Sequence, residues 1–80
     1  MNNEVEKHQE DNLIKLGKRL KDLRKSKGFT NYEQFAYTHN ISRAQYGRYE
    51  KGGNISLKTL LKIIQIHNIS VKDFFNEGFD

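Results

Sequence analysis

The sequence predicts an all-α protein, a compact bundle of five short helices. Three observations carry this reading. Apolar residues recur at three- and four-residue spacing in successive segments. A hydroxyl residue suited to an N-cap precedes four of those segments. Proline is absent, and no segment alternates apolar and polar residues as a half-buried strand would. Eighty residues make one domain with a modest core.

Residues 1–10 show no apolar period and predict a flexible acidic N-terminal arm, with the folded domain over 11–80. The helical period begins after Asp11. Leu13, Leu16, Leu20 and Leu23 share one face of a helix over 12–26, which Gly28 ends in the manner of a C-terminal cap. A capping box at Thr30 and Glu33 opens a second helix over 31–38, whose inner face is Tyr32, Phe35, Ala36 and His39. Ser42 and Gln45 open a third over 42–50, with Tyr46 and Tyr49 inward. Ser56 caps a fourth over 57–67, with Leu57, Leu60, Leu61 and Ile64 inward. Ser70 and Asp73 open a fifth over 71–77, with Val71, Phe74 and Phe75. Helices this short are marginal alone, so their apolar faces must pack together. The expected single core is Leu16, Leu20, Leu23, Phe35, Ala36, Ile41, Tyr46, Tyr49, Leu60, Leu61 and Ile64. No internal repeat and no low-complexity tract is read.

Charge is segregated along the chain. The net charge is +4, but residues 12–72 hold 13 bases against three acids, while both ends are acidic. A basic body suits a polyanionic partner. Other classes lack support. Without cysteine there is neither a disulfide framework nor a thiolate metal site. His8, His39 and His67 have no ligand-like spacing, so no metal is expected. The serines fall at or near helix ends, where capping accounts for three of the four, with no nucleophile elbow, and Gly52-Gly53 is too short and too late after a helix for a phosphate loop. An enzyme, a cofactor and a small-molecule substrate are therefore not expected. No apolar run resembles a signal peptide or a membrane span, so the expected compartment is the cytoplasm.

The second and third helices are joined by only His39-Asn40-Ile41, the layout of a helix-turn-helix. Ala36 is small enough to let two helices cross closely. Asn40 suits a left-handed turn residue. Ile41 follows as a plug into the core. On the third helix Tyr46 and Tyr49 point one way, while Arg43, Ala44, Gly47, Arg48 and Lys51 point roughly the other. That outward face carries three cations and no acid, and suits insertion into a groove lined by base acceptors and phosphates.

With these residues in view, the chain resembles the phage-repressor and Cro-type helix-turn-helix family of prokaryotic transcription regulators. The matching residues are Leu16-Gly17-Lys18-Arg19-Leu20, Leu23-Arg24, Gly28, Thr30, Phe35-Ala36, Ile41-Ser42, Tyr46 and Arg48-Tyr49-Glu50-Lys51-Gly52. Further on, Ser56-Leu57, Leu60, Ile63-Ile64, Ile69-Ser70 and Asp73-Phe74-Phe75 match. The resemblance implies a lambda-repressor-like DNA-binding domain whose third helix reads DNA. It places Ser42, Arg43, Ala44 and Arg48 at base-reading positions, with Gln45 beside them. It places Lys51 and Lys58 against phosphate, and the backbone amides of Gly52, Gly53 and Asn54 beside a DNA strand. It also implies a partly buried salt bridge between Arg24 and Glu50.

Three departures stand out. One extra residue lies between Gly28 and Ala36, so the usual phosphate contact at the start of helix two falls on Asn31, Tyr32 or, less well placed, Gln34. Gly47 sits mid-helix, where it would permit close approach to DNA. His39 and His67 replace aliphatic residues.

The resulting expectation is a sequence-specific double-stranded-DNA-binding transcription regulator, a repressor or autoregulator, acting as a homodimer. Val71, Phe74, Phe75 and Phe79 hold more aromatic surface than one small core needs, and are the expected dimer contact. A phage repressor, a controller of a restriction–modification operon and an antitoxin all remain open. The alternative from another class is a protein-interaction module on the same fold, against which the basic face of helix three argues.

Overall fold

Four of the five helices begin where a side chain satisfies backbone amides that the first turn leaves unpaired. The computed structural model describes residues 3–80. Its helices are α1 (Asn3–Ser26), α2 (Tyr32–Thr38), α3 (Arg43–Glu50), α4 (Leu57–Ile66) and α5 (Val71–Phe75), and no strand occurs among the described residues. Ser42, Ser56 and Ser70 accept from the third residue beyond them. At α2 the cap is Asn31 rather than Thr30. Its Oδ1 accepts from the amides of Glu33 at 2.7 Å and Gln34 at 3.3 Å. Asparagine caps as a hydroxyl would, and its place one residue later shifts the start by one position.

α1 is longer than the apolar period predicts. Instead of a flexible arm, residues 3–10 continue the helix, while Met1 and Asn2 lie outside the described residues. No Gly or Pro interrupts this stretch, and Glu4 and Glu6 sit in the first turn, where the helix dipole favours acids. Once the buried Leu16 and Leu20 fix the helix, each turn added toward the N-terminus costs little.

Helix ends are closed by left-handed residues. Gly28 (φ 97°) ends α1, with Phe29 N–H donating to Arg24 O. Asn40 (φ 60°) ends α2, with Ile41 N–H donating to Ala36 O at 2.8 Å. The same turn recurs after α4, where Asn68 has φ 56°. The sequence is the same as well: His39-Asn40-Ile41-Ser42 and His67-Asn68-Ile69-Ser70. In each copy histidine caps the outgoing helix, asparagine turns the chain, isoleucine packs on the core and serine caps the next helix. A short internal repeat is therefore present, contrary to the expectation of none.

The core is Leu16 and Leu20 of α1, Phe35 and Ala36 of α2, Tyr46 of α3, Leu60, Ile63 and Ile64 of α4, and Phe74 of α5. Leu23, Ile41 and Tyr49 pack against it while half-buried. Two expectations for α4 fail. Leu57 and Leu61 are exposed, and Ile63 is fully buried in their place. The helix is apolar on nearly every side, and its inward stripe runs through 60, 63 and 64.

Phe74 is also corrected. It is fully buried, so it cannot be a dimer contact. Arg19 explains its fixed position. The guanidinium donates to Phe74 O at 2.8 Å and Asp73 O at 3.1 Å, pairs with Glu77 and lies over the Phe74 ring. These bonds satisfy the last carbonyls of α5 and tie it to α1.

Candidate nucleic-acid interface

α3 is held by four contacts that leave one of its sides open. The first is Tyr46, fully buried, with ring centroids 5.1 Å from Phe35 and 6.5 Å from Tyr49. Burial pushes its phenol well above the ordinary range, so it stays neutral. The second is Gly17. A β-carbon there would stand 2.6 Å from Tyr49 O and 2.7 Å from Glu50 O, so α1 crosses the end of α3 backbone to backbone.

The third is the pair Arg24 and Glu50. Nε donates to Oε2 at 2.8 Å and Nη2 to Oε1 at 2.9 Å, while Nη1 donates to Phe29 O at 2.8 Å. Both side chains are less than a tenth exposed. The hydrogen bonds it donates to Glu50 raise the guanidinium above its already high value, so its charge is permanent. The fourth is Gly47, which is buried rather than outward. The Tyr32 ring lies 2.7 Å from where its β-carbon would be. This glycine makes room for a tyrosine of α2.

What remains outward is Ser42, Arg43, Ala44, Gln45, Arg48 and Lys51, all exposed. Ser42 Oγ accepts from Gln45 N–H at 3.4 Å, which leaves its hydroxyl hydrogen free to donate. The outward side has no acid. Lys58 is exposed in the first turn of α4, and Asn54 is exposed in the loop before it.

Two expected backbone donors are not available. Gly53 N–H donates to Arg48 O at 2.8 Å and Gly52 N–H to Tyr49 O at 3.1 Å, closing α3 at Gly52 (φ 95°). Asn31 is exposed but spends its Oδ1 on the α2 cap, which leaves the amide nitrogen to donate. Tyr32 is half-buried over Gly47. A polar hollow of about 820 Å³ opens between α2 and the start of α3, lined by Tyr32, Glu33, Tyr37 and Arg43 among others. Tyr37 is 77% exposed there and had no sequence signal beyond lying off the apolar stripe.

The chain matches the model of the helix-turn-helix family over residues 20–74. That span covers well over half the chain, and the protein belongs to the Cro/C1-type helix-turn-helix family. It is a DNA-binding regulator in the general sense that defines this family, whose members are typically not enzymes. No curated protein and no solved structure matches it. Among the described residues, no helix is long and apolar enough to cross a membrane.

Proposed function

We propose that the protein is a sequence-specific regulator of transcription, a repressor or autoregulator, that reads the major groove of duplex DNA with α3. The observation that carries this is the acid-free outward side of α3 on a helix otherwise fixed by buried contacts. A rigid helix with two arginines among small residues suits bidentate recognition of guanine. Arg43 and Arg48 are the proposed base readers, with Ser42, Ala44 and Gln45 shaping the fit. Lys51, Lys58, Asn54, the Asn31 amide and the Tyr32 hydroxyl are the proposed phosphate contacts.

One such domain covers a half-site, so the functional form is proposed to be a homodimer on an operator with two-fold symmetry. Exposed Leu57, Leu61, Val71 and Phe75 on α4 and α5, beside the half-buried Phe79, are the surface that supports it. The test is selection of bound sequences from random duplex DNA. A recovered inverted repeat supports the proposal. Recovery of no common sequence, with binding that is purely salt-dependent, points to a non-specific DNA contact. No binding at low salt points to a protein-interaction role on the same fold.

A further inference from the structure

His39 and His67 occupy equivalent places in the two copies of the repeated turn, and both rest on one ring. The centroid of Phe35 lies 4.6 Å from His39 and 5.3 Å from His67, the latter in parallel stacking. Phe35 in turn packs on Tyr46, the buried anchor of α3. Both imidazoles bury Nε2 with no hydrogen-bond partner. A neutral ring tolerates this, because an unprotonated nitrogen leaves only an acceptor unused. An imidazolium does not, because both of its nitrogens are donors.

The charges that act on the two rings are cations or potential cations. Lys27 from the α1–α2 loop and Lys62 from α4 face His39. Lys27, His39 and Arg19 of α1 face His67. Among the described residues no carboxylate pairs with either ring to stabilise a positive charge.

We infer that the two histidines make the seat of α3 sensitive to acid. Protonation drives both rings toward water, uncovers Phe35 and opens the two turns that launch α3 and α5. Burial, reinforced by the neighbouring cations, lowers both imidazoles from their ordinary value, His67 to about 4. The unfolded chain therefore binds these protons first. The stability this supplies is complete above about pH 6.5 and is lost as pH falls toward 4. At pH 5, His67 alone lowers the folded-to-unfolded ratio by up to about 30-fold, less where water screens the ring.

The inference does not depend on DNA binding, and its test needs no DNA. Thermal unfolding is followed by circular dichroism between pH 7.5 and 5 for the native chain and for His39→Leu/His67→Leu. The native chain should lose stability steeply, and the double variant should lose much less. Equal losses in both would overturn the inference and assign the effect to carboxylates. Proton NMR of the native chain gives a second reading that needs no variant. The ring signals of His39 and His67 should resist titration until the protein unfolds. Titration of either near pH 6.5 in the folded protein would equally overturn it.

Discussion

The ring of Tyr32 fills the space that a side chain at Gly47 would take, so a tyrosine of α2 and a glycine of α3 share one volume. Gly17 likewise yields its side-chain space, but to the backbone of Tyr49 and Glu50. The difference decides how each tolerates a methyl group. At Gly47, Ala gains roughly 1 kcal/mol of helix propensity, and the obstructing ring is half-buried and can swing outward. At Gly17 the obstruction is main chain and cannot rotate away. Gly47→Ala should therefore change stability by less than about 1 kcal/mol, whereas Gly17→Ala should cost about 1–3 kcal/mol or more. Urea unfolding of both variants checks this, and a similar cost in the two would refute the packing account.

Removing half of the buried pair is the harsher test of how α3 is fixed. Arg24→Ala should lower stability by up to about 3–5 kcal/mol, since it strands the Glu50 carboxylate and the Phe29 carbonyl. Arg24→Met with Glu50→Leu should cost less than Arg24→Ala, because no charge is then left buried alone. An Arg24→Ala melting temperature equal to that of the native chain would mean the pair contributes nothing.

Two phenylalanines adjacent in sequence should fail in different ways. Phe74 is fully buried and Phe75 is 44% exposed. Phe74→Ala should cost about 3–5 kcal/mol of folding stability. Phe75→Ala should leave stability nearly intact and weaken self-association, read as a lower sedimentation coefficient at matched concentration. If the native chain sediments as a monomer at tens of micromolar (a concentration chosen to favour weak dimers), with and without DNA, the proposed dimer is wrong.

On the proposed reading face, base contacts and phosphate contacts should fail by different types of loss. Arg43→Ala or Arg48→Ala should cost about 1–3 kcal/mol on the selected operator and relax preference at one position, with random duplex still bound. Lys51→Ala should weaken all sequences by a similar factor and reduce the salt slope by roughly one. Titrations at several salt concentrations distinguish the two patterns. A uniform loss from all three changes would reduce α3 to an electrostatic patch.

The parts legible in the sequence are those set by local chemistry. Serine caps located the starts of α3, α4 and α5, and Asn40 marked its left-handed turn. What was not legible depended on partners distant in sequence. Nothing local says whether Leu61 or Ile63 faces inward on a helix apolar nearly all round. Phe74 and Phe75 are chemically the same, and Arg19 on α1 holds the first in place. Gly47 was readable as a site of close approach, but the approaching group could not be told from sequence. The length of α1 was missed because a helix extending past its packing partner needs no apolar stripe.

The repeated His-Asn-Ile-Ser tetrapeptide makes the chain its own control. Asn40 and Asn68 have the same neighbours, the same residue type and nearly the same backbone angle. Asn40→Gly and Asn68→Gly therefore change local conformational preference equally. Any difference between their effects on stability measures the surroundings alone, one turn leading into α3 and the other into α5. A single molecule thus separates what a turn contributes by its own chemistry from what its place in the fold adds.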